Sequence, residues 1–438
     1  HAMTTTTVRR RATWRIRSTR GVARRAPEAV IFTAAMVVAL LHALDDAFGH
    51  REPGVGMGQH ALAAVVSLAL GLGAVAAFPY VRPAARSALA FFFGALAIVN
   101  GALHVKHING EGMAGADLTG VLALAAGVVL VGLAAAIPWR HRGEGTAGPR
   151  RRWAYRIAAV PAGLLLALFT VVPIGTAITE THKFREHIGA PPSADYREVS
   201  FDASDGVHLS GWYRPTRNGA TLLVIHGGGG DRTGAVAHAK LLVRHGYGVL
   251  LYDARGRGRS EGQQNSFGWG WTKDIAGAIA FLKGRPEVDP ARIGGLGLST
   301  GADALIQAAG LGMDLHAVVA DGAAAESFED WRRLQGITAM TPFFAAEFAT
   351  VRITSGAKSG PPLEEMVKRV TEPLLLVSGG RHEEYDFNVK YDRDAGSRPV
   401  EHWNLPEAGH TAAIRDAAPA YERRVTDFFD RALSRRLG

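Results

Sequence analysis

The 438 residues include no cysteine. Disulfides, thiolate metal ligands and a cysteine nucleophile are therefore excluded, and the redox compartment is left open. Acidic residues are scarce in the first part of the chain. Residues 1–179 hold 18 Lys and Arg against 7 Asp and Glu, while the remainder holds 31 against 33. The formal net charge of +9 thus sits wholly in the first part. Such basicity often accompanies nucleic-acid binding, but these arginines flank apolar stretches, so no nucleic-acid partner is expected. His1 and Ala2, ahead of Met3, read as an appended scar.

Charge is almost absent from five apolar stretches: Ala29–Leu44, Ala61–Phe78, Ala88–Leu103, Leu118–Ile137 and Ile157–Ile178. A spanning helix needs about 20 apolar residues. The fourth and fifth stretches meet that length, whereas the first and third need polar ends that reach the headgroups. Five in succession argue against a buried soluble bundle. No small-residue cleavage pattern follows the first, so it reads as a span rather than a signal peptide.

Basic residues then set the expected orientation. Eight arginines (Arg9, Arg10, Arg11, Arg15, Arg17, Arg20, Arg24, Arg25) precede the first span, Arg82 and Arg86 lie in the second loop, and Arg140, Arg142, Arg150, Arg151, Arg152 and Arg156 lie in or beside the fourth. Only Arg51 and Lys106 occupy the first and third loops. Basic residues stay cytoplasmic. The N-terminus is therefore expected inside the cell membrane and the C-terminal domain outside.

A short repeat relates the ends of spans one and three: Leu41-His42 before Asp45-Asp46 resembles Leu103-His104 before His107. Spans one to four read as two related hairpins, with span five added. His42, Asp45 and Asp46 share one helix face, as do His104 and His107, and His60 and Asp117 begin the partner helices at the same level. Such groups on facing helices can hold a divalent metal. The other reading is interfacial polar residues satisfied by water and headgroups.

From Tyr196 the pattern becomes short β-rich runs alternating with helical segments. Expected strands are Val199–Phe201, Leu209–Tyr213, Thr221–His226, Gly248–Asp253, Arg292–Leu298, Ala317–Asp321, Pro373–Ser378 and Val400–Asn404. Expected helices include Ala235–His245, Thr272–Leu282, Gly301–Ala309 and Pro419–Leu433. The alternation predicts an α/β fold, a mostly parallel sheet with helices on both faces. Gly297-Leu298-Ser299-Thr300-Gly301 stands directly between a strand and a helix, which is the setting of a nucleophile elbow. Ser299 is the expected nucleophile, and the next N–H, that of Thr300, the first oxyanion donor. The glycine run after His226 offers a second, from Gly227 or Gly228. No Lys-Ser/Thr pair follows that run, which argues against a phosphate loop.

His410, in a late loop, is the expected general base. Glu383 is the expected acid that orients it, with Glu384 and Asp386 close behind and Asp321 more distant. The chain order Ser, acid, His suits this architecture.

These motifs, with Asp253–Ser260 and the glycines before Glu383, resemble the α/β-hydrolase superfamily over residues 196–438. The similarity is greatest to membrane-anchored, short-lid serine hydrolases of the Bem46 group and to bacterial dipeptidyl-peptidase-like esterases. That resemblance implies ester, thioester or amide hydrolysis through an acyl-serine, without an organic cofactor or a metal. It also makes the Asp253–Ser260 loop a brace and the apolar insertion at residues 322–370 a lid. The sequence departs from the pattern at the acid, where a Glu-Glu pair replaces an aspartate.

The expected organisation is a basic segment (1–28), a five-helix transmembrane domain (29–178), a linker (179–195) and the hydrolase domain (196–438). The lid's large apolar residues suit an acyl or lipid substrate presented by the bilayer. A peptidase is the nearest rival. A membrane sensor or transporter using the domain as a binding module is a rival of another class.

Overall fold

The computed structural model describes residues 27–141, 148, 150, 161–185, 187–381 and 383–434. The arginines from Arg9 to Arg25, and Arg142, Arg151, Arg152 and Arg156, lie outside the described residues, as do positions 157–160 of the fifth apolar stretch. Among the described residues, five helices are long and apolar enough to cross a membrane. They are α1 (Pro27–Leu44, continued by a π-helical turn over Asp45–Gly49), α2 (Met57–Ala77), α3 (Pro83–Glu111), α4 (Asp117–Arg140) and α5 (Pro161–Thr181).

The third span is longer than its apolar stretch, which ends at Leu103; the helix runs on to Glu111. An apolar window closes at the first polar side chain, but helical backbone bonding does not. His104 and His107 stay helical because their rings bond inside the bundle, both to the Asp117 carboxylate. The first span is likewise lengthened through Asp45 and Asp46. The paired ends of the repeat are not used alike, since His60 bonds Glu52 while Asp117 serves two histidines.

α3 and α4 meet backbone to backbone. A methyl group at Gly94 would stand 3.0 Å from the Gly127 carbonyl oxygen, and one at Gly127 would stand 2.8 Å from that of Gly94. Where lipid removes the hydrophobic drive between helices, close approach through small residues supplies the packing.

Residues 197–405 build one eight-stranded sheet: β1 (Arg197–Asp202), β2 (His208–Arg214), β3 (Thr221–Ile225), β4 (Gly248–Tyr252), β5 (Ile293–Leu298), β6 (Val318–Asp321), β7 (Leu374–Gly379) and β8 (Val400–Leu405). The spatial order is β1-β2-β4-β3-β5-β6-β7-β8. Only the pairings of β2 with β1 and β4 are antiparallel; the others are parallel. β3 and β5 are buried along their whole length, as strands covered on both faces must be. Helices Trp271–Lys283, Thr300–Gly310 and Glu383–Ala395 pack on one face; Val236–Arg244 and Ala418–Ala432 pack on the other. The helix Glu383–Ala395 begins where the sequence suggested a turn carrying Glu383 and Glu384.

The insertion after β6 forms three helices, Phe328–Gln335, Thr341–Ser355 and Leu363–Val367. Phe348 and Val351 of the middle one pack with Ala177 of α5 and with Trp269. Its C-terminal Gly356 lies against Gln59 of α2. The insertion is thus wedged between the sheet and the membrane-type helices.

Gly127→Val should separate α3 from α4 and lower the detergent-phase melting temperature, at about 1–3 kcal/mol. Gly132→Val, whose added group would meet nothing within 4 Å, should change it little. Equal melting of both variants would refute the close helix contact.

Candidate active site

β5 runs directly into the helix Thr300–Gly310, and Ser299 makes the corner at φ 53°, ψ −122°. A non-glycine residue keeps such a backbone only where its surroundings over-determine it. Here the Ser299 N–H donates to the Asp321 carbonyl (2.8 Å), and the Ser299 carbonyl accepts from Ala302 and Asp303 (2.7 and 3.1 Å). The flanking glycines are required by space. A methyl at Gly297 would stand 2.3 Å from the Gly301 oxygen, and one at Gly301 would stand 2.7 Å from that of His226.

The glycine loop after β3 lies beside the corner. A methyl at Gly227 would be 3.3 Å from Ser299 Cβ, and one at Gly228 would overlap the Ser266 carbonyl and the Thr300 hydroxyl. Among the described residues, none accepts from the backbone N–H of Gly227, Gly228 or Thr300. His226 fastens this loop from beneath: its Nδ1 donates to the Gly227 oxygen (2.7 Å) and its Nε2 accepts from the Ala254 N–H (3.0 Å). Burial lowers its pKa, so the ring stays neutral.

His410 projects from the loop after β8, beside Thr411 in a left-handed conformation (φ 50°). Its ring lies on Gly322, where a methyl would come within 2.9 Å of Cε1. Because Gly322 follows Asp321, whose carbonyl holds Ser299, the imidazole stands next to the corner. Among the described residues no hydrogen bond joins the Ser299 hydroxyl to this ring. Catalytic contacts of that kind often tighten only when substrate binds.

The carboxylate on His410 is Glu384, not the expected Glu383. Glu384 Oε2 lies 2.5 Å from His410 Nδ1, while Oε1 accepts from the Gly379 N–H at 2.7 Å. The reason is local. A helix begins at Glu383, and successive side chains on a helix diverge by about 100°, so only the second glutamate faces β7 and His410. Glu383 and Asp386 instead line a shallow depression with Trp331, Met340 and Phe344 of the insertion. Asp321 accepts from the Tyr421 hydroxyl (2.8 Å), and burial pushes its pKa to about 7. Asp303, not foreseen, takes the Ala324 N–H from the first turn of the Ser299 helix and is likewise raised to about 7 by burial. An acidic residue in a helix's first turn was the signal for both Glu384 and Asp303.

The Asp253–Ser260 loop is a brace. Asp253 and Arg232 form a fully buried ion pair at 2.6 Å, and Asp253 also accepts the N–H groups of Arg232 and Arg259.

This sheet order, corner and histidine loop meet a match in sequence, for residues 190–403 fit the family X-Pro dipeptidyl-peptidase (S15 family). The C-terminal half is an α/β-hydrolase domain. The chain is similar to the uncharacterized protein YfhR of Salmonella typhi, at 32% identity over 27% of this chain and 42% of that one. It is also similar to the thiohydrolase AneE of Aspergillus aculeatus, at 35% identity over 26% of this chain and 37% of that one. The chain therefore matches less than half the length of these curated relatives. The structure of the Pyrococcus furiosus esterase Pf2001 aligns over 57% of this chain and 98% of its own, at 23% identity and a TM-score of 0.47.

The hydrolase domain turns its strand C-terminal ends toward the helices of the first half. The segment leaving α5 docks on the loops after β3 and β4. Ser266 donates its N–H to the Glu180 carbonyl (3.0 Å), Lys183 donates its N–H to Gln264 (2.7 Å), and Arg185 reaches the carbonyl of Ser260. A cleft of about 390 Å³ opens there, lined by His107, His182 and Phe184 on one side and by Gly229, Gly230 and Arg257 on the other.

The polar candidates of the first half are sorted by their bonds. Asp45 accepts from Thr119 and pairs with His50; His60 pairs with Glu52; His107 and His104 share Asp117. Asp46 and His104 converge with His182, which sequence reasoning missed, and the His42 ring stands edge-on to His104. A histidine four residues past the last apolar stretch was the available signal.

The hydrogen bond that His410 donates to Glu384 raises its pKa above the ordinary 6.5. A base must be neutral to act, so hydrolysis should rise with pH and inflect above 6.5 on the acid side. Glu384→Gln removes the stabilising charge, so that inflection should move to lower pH while the plateau falls about 10⁴-fold. Glu383→Gln should leave both nearly unchanged. Rate–pH profiles on one soluble ester decide, and a large loss in Glu383→Gln alone would contradict the geometry.

Proposed function

We propose that this protein is a membrane-embedded serine hydrolase that cleaves acyl esters of lipid-like substrates at the outer membrane surface. Ser299 is the nucleophile, His410 the general base and Glu384 the orienting acid, with the N–H groups of Thr300 and of Gly227 or Gly228 as the oxyanion site. His410 Nδ1 is held by Glu384, which leaves Nε2 to take the Ser299 proton as Oγ attacks the acyl carbon. The negative oxygen is met by backbone donors, each worth about 3 kcal/mol. The proton returns through His410 to the leaving alcohol, and water then hydrolyses the acyl-serine by the same route. Nothing in this cycle calls on a metal or an organic cofactor.

The observation that carries the reading is the positive-φ corner at Ser299, set beside a histidine whose far nitrogen is hydrogen-bonded to the half-buried Glu384 carboxylate. Its lipid preference rests on the insertion helix Thr341–Ser355, packed against α5 and α2, which faces the catalytic edge to the bilayer. The outward orientation rests on the distribution of basic residues. The family match favours a second reading, a peptidase acting after proline with the same residues.

Ser299→Ala and His410→Ala should each reduce turnover by about 10⁶ while both variants still melt cooperatively. On a p-nitrophenyl ester series, kcat/KM should rise with acyl length, and an Xaa-Pro p-nitroanilide should be cleaved far more slowly. A preference for the anilide would establish the peptidase instead. Protease added outside intact cells should cut the Pro191-Pro192 loop. Cleavage only in inverted vesicles would reverse the orientation.

A further inference from the structure

Three groups from separate parts of the chain meet, with His42 beside them, where α1 ends, α3 enters its last turns and the chain leaves α5. Asp46, His104 and His182 each present a donor atom, all within 4.8 Å of one another. The His182 Nε2 is 3.4 Å from Asp46 Oδ1, and the His42 ring stands edge-on to His104 with centroids 4.7 Å apart.

The protonation of two of these rings is fixed by their other nitrogens. His104 Nδ1 donates to the ionised Asp117 (3.0 Å). His42 Nδ1 donates to the Thr119 oxygen (3.0 Å), whose own proton goes to Asp45 (2.7 Å). His104 is wholly buried, and its Nε2 lone pair has no hydrogen-bond partner among the described residues. A buried acceptor left so is unfavourable. The Asp46 carboxylate and the His182 ring stand within reach of it, so a divalent cation would take all three donor atoms together.

We propose that His104, His182 and Asp46 bind a zinc ion. Two imidazole nitrogens and one carboxylate oxygen suit Zn²⁺, which completes its tetrahedron with water. Asp117 behind His104 supplies the outer hydrogen bond that orients a metal-binding histidine and raises its basicity. Gly120 keeps space for that ring, since a methyl there would lie 2.3 Å from His104 Cγ. Phe184 covers the cluster, packing edge-on to His104 and His182 and flat on His107. The ion reaches the site through the cleft that His182 and Phe184 line.

The three ligands tie the end of α1 and the last turns of α3 to the strut Glu180–Arg185. That strut bonds Ser266, which in turn receives the Thr300 hydroxyl next to the nucleophile. The zinc thereby clasps the hydrolase domain onto the membrane helices, and this holds whatever substrate Ser299 serves.

The test uses the full chain, free of any purification tag, in detergent. Elemental analysis after dialysis should find about one zinc per chain. Competition with a chromophoric chelator should show the affinity falling at least 100-fold in His104→Ala and His182→Ala, and about 10- to 100-fold in Asp117→Asn. Ser299→Ala should bind as the parent does. Zinc retained at parental affinity in both histidine variants would overturn the proposal. Should His104→Ala fail to fold, His182→Gln and the chelator-stripped parent carry the test. Zn²⁺ added to the stripped parent should raise its melting temperature and Mg²⁺ should not; no rise with Zn²⁺, or none lost in His182→Gln, would also overturn it.

Discussion

The backbone of Ser299 is the constraint from which the catalytic half is built. Its left-handed corner exists only because β5 and the helix after it approach within contact distance, with glycine on both sides of the crossing. The same corner takes its N–H bond from Asp321 at the end of β6. That bond draws β6 level with β5 and brings Gly322 to the place where His410 rests. The glycine loop after β3 is held at the same height by His226, which bonds its own loop and the start of the β4 loop at once. Four strand ends are thus gathered at one point by backbone contacts rather than by side-chain packing. Strain of about 1–3 kcal/mol at one residue is tolerable because two fully covered sheet faces oppose its relaxation.

The two halves of the chain are joined through that same edge. The segment from Glu180 to Arg185 docks on the loops after β3 and β4, and the insertion helix Thr341–Ser355 fills the other side of the interface against α5 and α2. The edge that carries Ser299 therefore lies beside the membrane-type helices. Glu347 of the insertion helix is buried at this junction, and burial, with Glu180 nearby, pushes its pKa to about 7.

Much of the fold was legible because its signals are local. All eight strands were found within a residue or two of their ends, the buried central ones because they read as apolar runs between turns. Ser299 was legible because Gly297 and Gly301 obey a steric rule that leaves a fixed pattern. The spans were legible in number but not in length: hydropathy stops at His104, where the helix does not. The acid was misread by one residue. A residue-by-residue count along the turn after Gly380 assumes a loop, and the chain instead starts a helix at Glu383, which rotates Glu384 into the site. His182 was missed because nothing along the sequence says that the end of α5 returns to the end of α1 and the last turns of α3; that is a tertiary fact.

The choice of glutamate over aspartate at position 384 follows from the same helix start. The carboxylate has two bonds to make, to the Gly379 N–H at the end of β7 and to His410 Nδ1. The backbone of Gly379 is itself pressed on that of Gly409, where a methyl group would stand 2.6 Å from the Gly409 oxygen. Strand end and histidine loop are therefore fixed relative to each other before the acid is placed. An aspartate in the turn before the helix would reach them from the loop. A residue inside the first helical turn stands farther off, and the extra methylene of glutamate spans the difference. The departure from aspartate is thus a change of platform, with the acid carried on a helix end instead of a loop. The Gly379 bond takes the place of loop rigidity in aiming it.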